Sequence, residues 1–316
     1  MSEGGRVDIN KMLYIWCHVL AAGTVGYQTN VVEDNMYTRY VRKLLPIIPL
    51  ICLISCQALK FYGDADKPVY ISDLQDVADK APDDSLNVVT FNIKKARKIQ
   101  LAIAELKQLE KKTPVDIYLL QEMNEGGVEA IARDLGLNYL YIPFSYDKSD
   151  KKDIGNAILT RGTIEQPRKL ILPHAKWQNQ QRRGVTVGEI HLHEKKILVF
   201  SVHTETVAMS RKMRMDQIDS VAHYGQQEAA EYKYILIGGD FNTVFPGYSA
   251  SVVKEFNHVG FDWLTAKAGS TARAMMGLVS PVNDCLFSKG FAVTNAYVIR
   301  SSRSSDHYPV FATMRY

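Results

Sequence analysis

Cysteine is scarce in this chain: four residues in 316, at Cys17, Cys52, Cys56 and Cys285. Three of them precede residue 57, so a body that starts beyond that point keeps only Cys285 and can form no internal disulfide. A domain of this size does without bridges even in an oxidising compartment, so the cysteine count does not decide location. Charge of one sign is also in short supply. A net charge of +4 permits an anionic substrate without singling out nucleic acid, which would need basic residues clustered on one face. No internal repeat is visible. The hydrophobic stretch from Leu44 to Leu59 is broken by Pro46 and Pro49 and falls short of the ~20 residues that a spanning helix needs. What remains is a chain with 46% hydrophobic residues, enough for one large two-layer core.

The N-terminal region has the three-part pattern of an export signal. Basic residues from Arg39 to Lys43 precede the apolar run, which ends in small residues. The closing Leu-Ile-Ser-Cys resembles the lipobox of bacterial lipoproteins. That resemblance implies cleavage before Cys56, lipidation of its sulfur, and a place on the bacterial cell envelope, anchored on the periplasmic or outer side of a membrane. Met36 is then the natural start and residues 1–35 an over-extended N-terminus, although Met12 to Ala22 is apolar and reads equally as a second hydrophobic segment. On this division 36–56 is a signal peptide, 57–81 a polar tether containing Asp64, Asp66, Lys67 and Pro68, and 82–316 the folded domain.

Within that domain the most informative stretch is Ile-Leu-Ile-Gly-Gly-Asp-Phe-Asn, 235–242. An apolar run ending in glycine reads as a central strand whose end lets a ligand approach the backbone. Asp240 and Asn242, two apart, face the same side of an extended chain; one accepts a proton and the other binds an oxygen without adding charge. Four other segments end an apolar run in acid, amide or imidazole: 87–92 at Asn92, 115–122 at Glu122, 197–203 at His203, and 281–287 around Asp284. A sixth, 304–311, places Asp306 and His307 just before its run. Taken singly, each has a plain alternative: Asn92 and Glu122 as helix caps, His203 as a core histidine, Asp306 as a turn residue.

Together, in this order, the Gln-Glu, Gly-Asp-Phe-Asn and Ser-Asp-His motifs resemble the endonuclease/exonuclease/phosphatase superfamily of deoxyribonuclease-like metal-dependent phosphodiesterases, over about residues 86 to 316. The resemblance implies that Glu122 is the main metal carboxylate, that Asn92 positions it or shares the ligand shell, and that Asp306 is a further metal contact, with Mg²⁺ or Mn²⁺ as cofactor. It implies that Asp240 orients and deprotonates the attacking water and that Asn242 binds the phosphate. His307, steadied by Asp284, would contact the phosphate, and His203 would serve as phosphate ligand or general acid. Gly155-Asn156-Ala157 resembles a recurrent strand of the family, with Asn156 structural or supporting. Arg183 is either a substrate-phosphate ligand or a solvated arginine.

Periodicity places strands at 86–93, 115–121, 138–142, 155–160, 184–192, 196–203 and 233–239, with shorter ones near 282–287, 291–299 and 308–315. Helices are expected at 96–112, 125–135 and 209–231. Many strands with few helices indicate an α/β protein with two packed sheets. The family implies a four-layer α/β sandwich, two mixed sheets flanked by helices.

The substrate is the open question. Loops at 141–152 and 173–183 mix aromatic and basic residues, which suits a nucleic-acid backbone, a lipid headgroup layer or plain solvent. Ala274 to Met276 adds an apolar loop tip. Val-Asn-Asp-Cys stands where inositol polyphosphate phosphatases have Trp-Cys-Asp-Arg, and no signature of the abasic-site repair branch is visible. The expected activity is that of an exported, membrane-anchored nuclease. The alternatives are a phospholipid or sphingomyelin phosphodiesterase and a catalytically inactive, lipid-anchored binding protein.

Overall fold

The computed structural model describes residues 60–72, 84–177, 179–192, 194–245, 247–273 and 280–316. The signal segment 36–56, with Cys56, and the loop tip at Ala274 to Met276 lie outside the described residues.

Two mixed sheets form the body. The first is built from β1 (Lys60–Phe61), β2 (Tyr70–Ser72), β3 (Ser85–Asn92), β4 (Ile117–Met123), β5 (Asn138–Asp147), β6 (Lys152–Thr160), β13 (Ala292–Val298) and β14 (Val310–Arg315). Its order is β1-β5-β6-β4-β3-β14-β13, with β2 also paired to β5. The second contains β7 (Thr163–Ile171), β8 (Gly184–Leu192), β9 (Lys195–His203), β10 (Tyr234–Asp240), β11 (Asp262–Trp263) and β12 (Asp284–Lys289), in the order β11-β12-β10-β9-β8-β7. The centre of each sheet is a parallel pair, β3 with β4 and β9 with β10, flanked by antiparallel neighbours. Parallel central strands need both faces covered, which explains why they read as continuous apolar runs.

Leu86, Val88, Ile117, Leu119 and Ile158 of the first sheet pack against Ile190, Ile197, Val199, Leu236 and Leu286 of the second. Burying each of these side chains contributes about 2 kcal/mol. The sheets meet closely at Gly238, where a Cβ would collide with Leu286 and Leu119. Outside the first sheet lie α1 (Ile99–Lys112) and α2 (Glu125–Leu135); outside the second lie α3 (Arg211–Glu228) and α4 (Tyr248–His258). The result is the α/β/β/α sandwich expected from the sequence. No described helix is long and apolar enough to cross a membrane.

Helix ends follow local chemistry. Asn124 caps α2 by accepting from Gly127 N, and Gly136, at φ 65°, closes it in the left-handed conformation that suits glycine. Ser210 caps α3 through Met213 N. Four regions differ from the sequence expectation. Residues 141–152 are not a loop: β5 runs to Asp147 and β6 starts at Lys152, so only the tip of a hairpin is left. β7 and α4 are additional elements, the first a polar edge strand carrying Pro167. Part of the expected tether joins the sheet, with Lys60 opposite Tyr146 and Phe61 opposite Ser145, and Tyr70 to Ser72 opposite Tyr141 to Tyr139. Edge strand β5 offers unpaired N–H and C=O groups, and these segments satisfy them.

Candidate active site

Strand register gathers the polar ends at one edge of the sandwich. Asp240 stands opposite both His203 and Asp284 in the second sheet, and Asn92 stands opposite Gln121 in the first. Behind them a buried polar layer fastens the sheets together: Gln121 Nε2 donates to Ser201 Oγ at 3.1 Å, and Asn156 Nδ2 donates to Gly184 O at 2.9 Å and Ser201 O at 3.2 Å. Asn156 is therefore a structural bridge.

Asp240 is the centre of the site. Its Oδ2 accepts from Asn92 Nδ2 at 2.9 Å and lies 3.7 Å from Nε2 of both His203 and His307. Its Oδ1 accepts from the Asn242 N–H at 2.9 Å. Asn242, at φ 50°, turns its side chain to donate to Thr204 O, so its backbone rather than its amide serves Asp240. Glu122 is also held at positive φ, 54°, a cost that tends to collect at functional sites. Its Oε1 lies 3.4 Å from Asn92 Nδ2 and 4.0 Å from His203 Nε2.

The two histidines have opposite partners. His307 Nδ1 lies 2.8 Å from Asp284 Oδ2, which also accepts from Thr271 Oγ1 at 2.8 Å. Thr271 Oγ1 in turn accepts from the N–H groups of Asn283 and Asp284. His203 Nδ1 instead lies 3.3 Å from an Arg183 nitrogen, and Arg183 Nε lies 3.5 Å from Oε2 of the fully buried Glu205. Proton affinities follow. Burial opposes charge on His307, yet Asp284 and Asp240 outweigh it and raise the group to about 10. Burial, then Arg183 and His307, holds His203 well below the usual imidazole range. Burial pushes the Asp240 carboxyl up to about 6, with His307 opposing and Asp284 adding to the rise. Burial also works against charge on Glu205, but Arg183 and the Thr206 N–H hold it below the usual carboxylate range.

Asn92, Glu122, His203, Asp240, Asp284 and His307 thus stand together, Asn242 adjoins through its backbone, and Arg183 faces His203 rather than open solvent. Asp306 stands at the rim, paired with Lys94 at 2.7 Å. Asp240, Asp284 and His307 lie close enough together to share an ion, and Glu122 and Asp306 are the nearby carboxylates, a donor set of the kind a hard divalent cation takes. Asn92 turns its amide nitrogen toward Glu122 and Asp240 and its oxygen toward the Lys94 N–H, so it holds the carboxylates in place. Two other His and carboxylate groups exist among the described residues, Glu165-Glu189-His191 and Asp219-His223-Glu255. The first is already satisfied by Tyr232 and Lys196. Lys94, Thr271 and Glu205 escaped the sequence reading. Only Lys94 carried a local signal, the Lys-Lys-Ala-Arg-Lys run that starts two residues after Asn92.

Comparisons with known proteins bear on the fold and the family. No curated protein matches the sequence. A Beutenbergia cavernae endonuclease/exonuclease/phosphatase superposes with a TM-score of 0.59 at 17% identity, covering 73% of this chain and 71% of that one. The Bacteroides thetaiotaomicron mannosyl-6-phosphatase gives 0.58 at 19%, covering 73% and 100%. D. rerio TDP2 complexed with a single-strand DNA product gives 0.58 at 15%, covering 74% and 100%. The family model for the Endonuclease/Exonuclease/phosphatase family matches residues 89–307. Strand-end acids, amides and imidazoles converging between two sheets, and a family match over most of the chain, lead to one conclusion: this chain belongs to the endonuclease/exonuclease/phosphatase family, hydrolases of phosphoester bonds.

Proposed function

We propose that the protein is a divalent-metal-dependent phosphodiesterase that cleaves nucleic acid outside the cytoplasm. The observation that carries the chemistry is Asp240, a buried carboxylate within 3.7 Å of both imidazole Nε2 atoms and held by Asn92 and Asn242. Its raised proton affinity suits a general base near neutral pH, since it can take a proton from water without binding it permanently. His307, kept cationic by Asp284, donates from Nε2 to a phosphoryl oxygen and stabilises charge as it develops. His203, neutral beside Arg183, supplies a hydrogen bond rather than a charge. A bound Mg²⁺ or Mn²⁺, held by Glu122 and Asp306, supplies charge neutralisation on the phosphoryl group.

The rim supports a polyanionic substrate. The β5–β6 hairpin tip carries Lys148, Lys151 and Lys152, and the β7–β8 loop carries Lys176, Arg182 and Trp177, the last 78% exposed. Both loops open at the same edge as the site, since Asp147 pairs with Lys152 and Gly184 with His203. Basic residues can track phosphates while an exposed aromatic face stacks on a base. The DNA product bound to D. rerio TDP2, a fold neighbour, is compatible with this reading.

The test offers plasmid DNA, RNA, sphingomyelin and an aryl phosphodiester to the purified full chain, with Mg²⁺ or Mn²⁺ and with chelator. Metal-dependent nicking of plasmid is the expected outcome. Cleavage of the lipid alone would replace the nuclease reading with a phospholipid phosphodiesterase, and no turnover of any substrate would leave a binding protein. We extend the proposal to a lipid anchor on Cys56: Cys56→Ser should release the protein from membranes, and unchanged fractionation would overturn the anchor.

A further inference from the structure

Lys94 stands where two of the expected cation ligands are served. Its backbone N–H donates to Asn92 Oδ1 at 2.9 Å, and its ammonium lies 2.7 Å from Asp306 Oδ2, 212 residues away in sequence. The turn that places it there is costly. Lys94, Lys95 and Ala96 have φ of 44°, 57° and 51°, three consecutive non-glycine residues in the left-handed region. Neighbouring groups hold the turn in that shape: Asn124 Nδ2 donates to Lys95 O at 3.4 Å, and the Lys95 ammonium is paired with Asp147 of the β5–β6 hairpin. Strain that persists because its surroundings enforce it points to a use for the side chain it delivers.

That use follows from the chemistry of Asp306. An ammonium 2.7 Å from Asp306 Oδ2 places one positive charge where a divalent cation bound to that carboxylate would bring another, and the two repel at such range. Both partners are half exposed, 48% and 42%, and the lysine stem is flexible, so the ammonium can leave without disturbing the core.

We propose that Lys94 is a resident counter-ion that yields Asp306 to the divalent cation and, once displaced, binds the substrate phosphate. This rests on the phosphodiesterase reading above. The same residue then opposes the metal and assists the substrate, so its removal changes the two affinities in opposite directions. A residue that only braced the turn would weaken both.

The experiment titrates Mn²⁺ into the metal-free full chain by calorimetry, comparing wild type with Lys94→Gln, Lys94→Arg, Asp306→Asn and the Lys94→Gln/Asp306→Asn double variant. Lys94→Gln should bind Mn²⁺ roughly two- to fivefold more tightly, the scale of a solvent-screened ion pair. Lys94→Arg should not, since it keeps the competing charge. In the Asp306→Asn background the effect of Lys94→Gln should vanish. At saturating Mn²⁺, Lys94→Gln should raise KM for an aryl phosphodiester about tenfold, as expected for a lost charged contact to phosphate. Unchanged or weaker Mn²⁺ binding by Lys94→Gln, or an effect that survives in the double variant, overturns the competition. Tighter Mn²⁺ binding with an unchanged KM overturns the phosphate role. Failure of wild type to hydrolyse any substrate would defeat the proposed function, whereas the calorimetry, made without substrate, still decides the contest between Lys94 and the cation.

Discussion

The two banks of the cleft hold the same residue type in opposite states. On one side His307 leans on Asp284, itself fixed by Thr271; on the other His203 leans on Arg183, itself fixed by Glu205. Both rings aim Nε2 at Asp240 from 3.7 Å. The partner on Nδ1 is therefore what separates them: a carboxylate keeps one imidazole charged, while a guanidinium, which can only donate, keeps the other neutral. One catalytic carboxylate flanked by two cations would be held ionised too firmly to accept a proton. With one cation and one neutral donor, Asp240 stays within reach of neutral pH.

The comparison collapses without the carboxylate that both rings share. Asp240→Asn should lower kcat by about 10³-fold, within the range of general-base contributions, as read by steady-state hydrolysis. Asp284→Asn should erase the difference between the banks by removing the charge behind His307, and a loss of about 10²-fold in kcat is expected. The variant should retain its circular dichroism, since the amide is isosteric.

Acidity sharpens the contrast further. In the metal-free protein His307 is raised from 6.5 to about 10, so its charge contributes stability that is fully present below about 6.5 and is lost as pH rises through about 10. The melting temperature of wild type minus that of His307→Gln should fall across this window. A flat difference would show that Asp284 does not hold the proton there. Glu205→Gln, which removes the charge 3.5 Å from Arg183 on the other bank, should cost about tenfold in kcat, on the scale of other supporting contacts around active groups. It should leave the alkaline fall in stability intact, because that belongs to His307. Thr271→Val should have the smallest effect on rate, about threefold, but should destabilise by about 2 kcal/mol in urea melts because two buried N–H groups lose their acceptor.

How much of this was written in the sequence depends on range. Asn92, Glu122, His203 and Asp240 end buried strands, and the apolar runs before them announce both the strand and its end. The layering was equally legible, because central parallel strands are apolar on both faces. β7 was not, since its solvent face is polar and Pro167 interrupts it, as an edge strand tolerates. The inner halves of β5 and β6 read as strands at 138–142 and 155–160, but their extension to the hairpin turn did not, because the Asp-Lys-Ser-Asp-Lys-Lys tip masks the alternation on either side. α4 carries a helical stripe in Tyr248, Val252 and Phe256, buried at intervals of four. Thr271 has no local signature at all, and Glu205 follows His203 by two residues without its own role being visible. Their roles exist only through Asp284, the first residue of β12, and Arg183, at the end of the β7–β8 loop.

The short strand β1 has a geometric implication for where the enzyme would work. Lys60 pairs with Tyr146, next to the hairpin tip at the open end of the cleft. Only three residues separate Lys60 from Cys56, a leash of at most about 14 Å when fully drawn out. With a lipid on Cys56, as proposed, the catalytic mouth could not roam the envelope space. It would graze along the bilayer, and substrate would have to be handed to it there.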